Sequence, residues 1–315
     1  MNLKDKDLKD LPQVSVVIPT HNRREILEKA LHALFNQTYP ADSYEIVIVD
    51  DGSTDGTGEM IDALKAPCEI RYVYQEQKGP AGARNVGIRM AKGDTIIFID
   101  SDIIVCPEFI EAHIKAREGN DVITHGPVIH TSDMDNPTLT PMKITDISRA
   151  FFATGNVSIY RNKLIEAGLF DEDFVEYGWE DLELGIRLKK LSIKPVKALD
   201  AKGYHYKSVL KVSMVPGLIE KERQRGHTAI ILYRKHPTLK VRAMIMLSPV
   251  FFILDRLLTL GNWPRWKCTI RFLKSLERMG LHLPLRFFVR IITNHAYANG
   301  MREYLRNDDI PHDKA

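Results

Sequence analysis

The sequence predicts an α/β protein with a mostly parallel central sheet flanked by helices and a basic, helical C-terminal extension. Short β-branched runs alternate with segments whose apolar residues recur at helical spacing, the pattern of βαβ units. Acidic residues cluster where two of those runs stop, and open parallel sheets bind ligands beyond the carboxyl ends of their strands. The charge also changes sign along the chain. Residues 1–200 hold 23 Lys and Arg against 33 Asp and Glu, a net charge of −10; residues 201–315 hold 21 against 8, a net charge of +13.

The elements follow in order. "VSVVIPT" (14–20) is a β-branched run that ends in a turn signal, so it reads as a buried strand. "RREILEKALHALFNQ" carries Ile26, Leu27, Ala30, Leu31 and Leu34 at helical spacing. "EIVIVD" (45–50) is a second strand and "DGTGEMIDALK" a second helix. "EIRYVYQ" is a third strand, and "ARNVGIRMA" a third helix after a Gly-Pro loop. "TIIFID" (95–100) is a fourth strand, and "PEFIEAHIKARE" opens with Pro107 at a natural first-turn position. The stretch "DVITHGPVIHTSDMDNPTLTPMK" predicts a strand and then a long irregular loop. "GNVSIYRNKLIEAGLF" reads as strand, turn and helix, "EDLELGIRLKKL" as an amphipathic helix and "KPVKALD" as a short strand. Beyond Tyr206 the pattern is helical and basic.

The length of 315 residues suits one large domain or two ordinary ones, and 44% hydrophobic with 27% charged residues is a globular composition. Cys68, Cys106 and Cys268 lie far apart and form no zinc or disulfide spacing, which favours a reducing, cytoplasmic compartment. The polar opening "MNLKDKDLKDLPQ" does not read as a secretory signal.

Strand two ends in Asp50-Asp51-Gly52-Ser53, and strand four in Asp100-Ser101-Asp102. Two carboxylates one residue apart at a strand end can face one divalent cation, and hard cations such as Mg²⁺ or Mn²⁺ take oxygen ligands. The same residues also suit plain turns and helix caps. Further on, "YGWEDLELGIRLKK" places Glu180, Asp181 and Glu183 at a helix start, where the helix dipole favours acids. Glu183 has Arg187 four residues on, a weak helix-supporting ion pair.

Taken together, "VSVVIPTHNR", "VDDGSTDGT", "GPAGARNVGIRMAKGD", "IDSD", "GNVSIYR" and "YGWEDLELGIRL" resemble the ordered motif set of family 2 glycosyltransferases with the GT-A fold, a Rossmann-like nucleotide-binding architecture. The likeness covers roughly residues 14–206. It divides the chain into a polar tail (1–13), a GT-A catalytic domain (14–206) and a helical basic region (207–315). Within the catalytic domain, 14–129 would form the nucleotide-sugar half and 130–206 the acceptor half.

The resemblance implies a nucleotide-diphospho-sugar donor. Asp51 would hydrogen-bond the base, uracil for a UDP-linked donor. Pro19, Thr20, Asn22 and Arg23 would border the nucleotide, although Asn22 would also suit a cap on the first helix. Arg84 would sit near the diphosphate and the first acid of the Asp-x-Asp motif. Asp100 would hold the ribose, with Ser101 beside it, and Asp102 would ligate Mn²⁺ or Mg²⁺. His205 corresponds to a third metal ligand in many metal-dependent members. Transfer with inversion needs a base near the acceptor hydroxyl, and the resemblance assigns it to Asp181, with Glu180 as helper and Trp179 as the floor of an acceptor site.

One departure bears on processivity. The Gln-x-x-Arg-Trp motif of polymerising members is replaced by "KERQRGHTAII", which points to a non-processive enzyme and leaves Arg223 and His227 as further candidates for the diphosphate. A nucleotide-sugar-binding protein without catalysis would need a missing base or metal site. A sugar-phosphate nucleotidyltransferase would need a Gly-rich first loop after "VVIPT", which is absent. "AMIMLSPVFFIL" (243–254) is too short to span a membrane. Trp263, Arg265, Trp266, Lys267, Arg271, Phe272, Arg286, Phe287 and Arg290 interleave bases with aromatics. That pattern suits an anionic membrane surface bound through 207–306, with a saccharide or lipid-linked acceptor. No nucleic-acid recognition module is visible.

Overall fold

The computed structural model describes residues 14–133, 136–207, 209–265 and 267–307; the polar tail 1–13 and Trp266 lie outside the described residues. The chain divides into two compact units. The first comprises residues up to Val175 together with Glu180–Ser208, and the second comprises Glu176–Trp179 with Val209 onward.

In the first unit, β1 (Val14–Thr20), α1 (Arg24–Phe35), β2 (Tyr44–Asp51), α2 (Thr57–Ala63), β3 (Glu69–Gln75), α3 (Gly79–Met90) and β4 (Thr95–Ile99) form the expected βαβ succession. A short strand, β5 (Ile103–Val105), precedes α4 (Phe109–Arg117). Then come β6 (Val122–His125), β7 (Val128–Thr131), β8 (Asn156–Tyr160), α5 (Arg161–Glu166), α6 (Glu180–Lys190), β9 (Lys194–Lys197) and β10 (Gly203–Tyr206). The seven-stranded sheet has the order β3-β2-β1-β4-β8-β6-β9. Every strand runs the same way except β8, which is antiparallel to both neighbours. The mainly apolar runs of β1, β2 and β4 are explained by burial on both faces, and the two interruptions, Ser15 and Glu45, are buried and hydrogen-bonded to each other at 2.6 Å. Val16, Ile18, Ile46 and Ile48 pack in one core with Leu27, Leu31 and Leu34 of α1 and with Phe109 and Ile110 of α4.

A second sheet, of order β5-β10-β7, positions the site. β10 lies antiparallel to β5 and parallel to β7, so His205 stands opposite Ile103 on one side and His130 on the other. Sequence reasoning missed β5 and β10, which have three and four residues. Two helix starts also differ from expectation. α4 opens at Phe109, beyond Pro107, and α3 begins at Gly79, so the Gly-Pro pair belongs to the helix. Gly79 has φ +83°, and a Cβ there would lie 2.0 Å from the Val175 carbonyl oxygen, so only glycine fits.

The second unit is helical: α7 (Val215–Lys235), α8 (Leu239–Met244), α9 (Pro249–Leu258), α10 (Lys267–Arg278) and α11 (His282–Asn307). Ser248 caps α9, so the apolar stretch 243–254 is broken between the end of α8 and the start of α9. α7 and α11 meet at Gly226 and Gly300, where an added Cβ would lie 2.3 Å from Tyr297 O and 2.1 Å from Arg223 O respectively. Among the described residues, no helix is long and apolar enough to cross a membrane.

Candidate active site

The first unit gathers its charged residues at the carboxyl ends of β1, β2 and β4. Arg84, on α3, is buried and bridges two elements. Its Nη1 donates to Glu180 Oε1 at 2.8 Å, and its Nη2 to Asp100 Oδ1 at 3.3 Å. The Phe170 ring lies 5.7 Å from the guanidinium carbon. Burial opposes the charge on Arg84, but Glu180 and then Asp100 hold it in place. Glu180 is buried too, and its Oε2 has no hydrogen-bond partner.

Asp181 follows Glu180 on the first turn of α6 and is partly buried. Its Oδ1 accepts from Leu182 N at 2.7 Å. Burial pushes its carboxyl up to about 7, with the Glu180 charge adding to the rise and Arg84 opposing it. Glu183 behaves differently from the weak surface pair expected of it. It is buried and takes a two-pronged contact from Arg187, whose Nε stands 2.9 Å from Oε1 and whose Nη1 donates to Ala167 O. The three acids of "EDLE" are thus one ion-pair partner, one carboxyl near neutrality and one structural anchor.

Asp102 meets Arg23, whose Nη1 donates to Oδ2, while His205 Nε2 stands 3.3 Å from the same oxygen. Burial would raise the Asp102 carboxyl, but the His205 hydrogen bond and the Arg23 charge outweigh it and hold it below its usual value. Behind His205, His130 Nδ1 lies 3.2 Å from His205 Nδ1 with the rings edge to face. Burial lowers the His130 pKa, with Lys207 and His205 contributing. Nothing in the sequence flagged His130, which sits in a strand inside the proline-broken segment. Neither Asp100 nor Asp102 caps α4, which has no side-chain cap. Among the described residues, no group of three or more His, Cys, Asp or Glu side chains is arranged to hold a metal. The donor chemistry of Asp102 and His205 still fits a hard cation that keeps substrate phosphates as co-ligands, and Arg23 shows that the Asp102 carboxylate attracts a positive charge.

Asp51, at the end of β2, is buried under three donors. Oδ1 accepts from Gln75 Nε2 at 2.6 Å and Lys78 N at 2.8 Å, and Oδ2 from Gly79 N at 2.9 Å. Asp50 beside it takes Ser53 N and the Tyr72 hydroxyl, both at 2.8 Å, so it shapes the turn. Pro19 and Thr20 end β1, paired with Val49 and Asp50, and the buried Thr20 Oγ1 has no partner. Asn22 has φ +50° and does not cap α1. Its Oδ1 accepts from Thr54 N at 2.8 Å, tying the β1 and β2 turns together. Ser101 is buried between the two aspartates.

The remaining candidates lie in the second unit. Trp179 has φ +71° and is buried; its indole N–H donates to Arg225 O at 3.0 Å, and the Arg225 guanidinium lies 4.9 Å from the ring centroid. Arg223 pairs with Glu220 and Glu303, and His227 with Glu176 and Glu303.

A mostly parallel sheet with one reversed strand, a small second sheet at its ligand-binding end and acids at the strand termini make up the GT-A architecture. The model for "Glycosyl transferase family 2" matches residues 15–170, and the chain belongs to that family. Validoxylamine A glucosyltransferase of Streptomyces hygroscopicus is 30% identical over 73% of this chain; the chain spans 62% of that protein's length, under two thirds. Two solved structures share the fold. The mannosyltransferase PcManGT from Pyrobaculum calidifontis, in complex with GDP-Man and Mn²⁺, aligns with a TM-score of 0.62 and 19% identity over 94% of this chain and 88% of that one. S. aureus TarS 1-349, in complex with UDP-GlcNAc, aligns with a TM-score of 0.57 and 18% identity over 94% and 92%.

Proposed function

We propose that this protein is an inverting, metal-dependent glycosyltransferase. It moves a sugar from a nucleotide-diphospho-sugar, UDP-linked, to an acceptor hydroxyl, one residue per encounter, in glycan, polysaccharide or glycolipid synthesis. One observation carries this above all. A carboxyl near neutrality, Asp181, stands beside the buried Arg84–Glu180 pair and the strand-end acid Asp100. A base with a pKa near the working pH is unprotonated often enough to act and basic enough to take a proton.

In this mechanism Asp181 accepts the proton of the attacking hydroxyl, and Glu180 holds Arg84 where its charge faces the diphosphate. Asp51 receives the base: its Oδ2, with one hydrogen bond from Gly79, has acceptor capacity left. Pro19, Thr20, Asn22 and Arg23 border the nucleotide, and Asp100 and Ser101 the ribose. Asp102 and His205 would hold Mn²⁺ or Mg²⁺. A bound cation would neutralise the charge that builds on the departing diphosphate. With a cation bound, a neutral His130 would accept the Nδ1–H of His205 and so leave the His205 Nε2 lone pair for the metal in place of the hydrogen bond it makes to Asp102. The GDP-Man, UDP-GlcNAc and Mn²⁺ bound to the structural neighbours support the donor class and the metal. The basic second unit would seat the enzyme on the inner, anionic face of a membrane through 207–306, and the acceptor would be a saccharide or lipid-linked.

The test is the stereochemistry of transfer. Incubation with a panel of α-linked UDP-sugars and saccharide acceptors, followed by the anomeric proton coupling of the product, should show a β-linkage. An α-linked product, or no transfer from any donor with or without Mn²⁺, contradicts the proposal.

A further inference from the structure

Helix α9 is turned the wrong way round for water. Its one acid points inward: Asp255 is buried, with Oδ1 accepting from His295 Nδ1 at 2.9 Å and Oδ2 from Arg302 Nη2 at 2.8 Å, both on α11. Phe251 packs edge-on against Tyr297, and the Arg302 guanidinium lies 5.1 Å from the Phe252 ring centroid. Its aliphatic residues point outward. Val250, Ile253, Leu254, Leu257 and Leu258 are each between 50% and 65% exposed. Their spacing is i, i+3, i+4, i+7, i+8, a single stripe along a helix. Water drives such a stripe inward. Here the buried Asp255 contacts fix the opposite face toward the unit and leave the stripe outside. Leu260, also exposed, extends it.

We propose that this stripe enters a lipid surface, with α9 lying in the plane of an anionic membrane. The proposal rests on the membrane seat suggested above and names the face that makes it. Two observations favour lipid over a second copy of the chain. At ten residues, α9 is too short to cross a bilayer but suits an interfacial position. The C-terminal region from residue 201 carries a net charge of +13, so two copies meeting here would bring like charges together, whereas anionic headgroups neutralise them. Trp263, just past the stripe, donates its indole N–H to Leu258 O at 2.8 Å and adds an aromatic at the boundary. The binding is therefore part Coulombic and part apolar.

The experiment is co-sedimentation of the full chain with phosphatidylcholine vesicles, with and without phosphatidylglycerol, at low and high salt. Sedimentation velocity in the absence of lipid accompanies it. The variant is Ile253→Ser with Leu257→Ser; both side chains are exposed, so its thermal transition should match the wild type. The control is Leu139→Ser with Ile144→Ser, two exposed aliphatics of the first unit. The wild type and the control should bind anionic vesicles and keep part of that binding at high salt. The α9 variant should bind about thirtyfold more weakly, the loss of two partly buried aliphatic side chains. If the variant binds like the wild type at both salt levels, the stripe is not the docking face although the membrane seat stands. If the wild type binds no vesicle, both fail. A wild-type dimer that the variant dissociates makes a second copy the occupant and overturns the proposal.

Discussion

Arg84 and Glu180 form a buried ion pair, Nη1 to Oε1 at 2.8 Å, with each side chain only 7% exposed and the residues 96 positions apart in the chain. This pair joins α3 to the start of α6 and sets the electrostatics around Asp181. Removing one partner leaves a buried charge without compensation, at a cost of about 3–5 kcal/mol. Arg84→Met should therefore lower the thermal midpoint strongly. Adding Glu180→Gln should recover much of that loss, because the stranded charge is then gone. A double-mutant cycle by thermal unfolding checks this; additive losses would contradict a direct pair.

The raised Asp181 carboxyl makes a prediction about stability as well as rate. Its folded pKa of about 7 lies above the unfolded value of about 3.9. The folded state thus binds the proton more tightly, and stability is lost as pH rises from about 4 through 7. Asp181→Asn removes this penalty. The variant should be the more stable protein at pH 8 by at least about 1 kcal/mol, roughly 2–4 °C in the midpoint. The difference should vanish at acid pH. A variant that is equally stable at pH 8 would show that the carboxyl is not raised.

The metal site should depend on a residue outside the Asp-x-Asp motif. Asp102→Ala should abolish the Mn²⁺ dependence of UDP binding, measured by calorimetry. His130→Leu keeps both proposed ligands but removes the group that orients His205, so Mn²⁺-dependent affinity should fall roughly 10–100-fold. Unchanged affinity in His130→Leu would reduce the His130–His205 contact to packing.

Gly79 carries a purely backbone requirement. Gly79→Ala puts a methyl where Val175 O stands and holds alanine at φ +83°. The turn that presents Lys78 N and Gly79 N to Asp51 must shift. Stability should fall by about 1–3 kcal/mol and UDP binding should weaken with it. A variant as stable as the wild type, measured by thermal unfolding, would contradict this.

Local patterns were legible in the sequence; long-range partnerships were not. β1, β2 and β4 announced themselves because strands buried on both faces read as nearly continuous apolar runs. Asp51, Asp100 and Asp102 could be picked out because a strand end is a local event. β5 and β10 are too short to show a period, yet their pairing brings His205 to Asp102. The Arg84–Glu180 pair is invisible to spacing, since its members meet only when α3 and α6 pack on one sheet. Glu183 misled for the opposite reason. Its i, i+4 spacing to Arg187 reads as a surface pair, and only the tertiary structure shows that it is buried. His130 carried no signal, because a lone histidine in a strand looks the same whether or not a second histidine faces it.

The most direct measurement is acceptor-dependent release of nucleoside diphosphate by three proteins: the wild type, Asp181→Asn and Glu183→Gln. Rates are normalised to folded protein, and UDP affinity is measured for each. If Asp181 is the base, its variant should keep UDP affinity, because Asp51, Asp100 and Asp102 are untouched. Its turnover should drop by roughly 10²–10⁴. Glu183→Gln should be less stable, since it strips the charge from a buried partner of Arg187, yet its folded fraction should turn over near the wild-type rate. Wild-type turnover by Asp181→Asn, or a Glu183→Gln protein that is folded, binds UDP and is inactive, would contradict the assignment of Asp181.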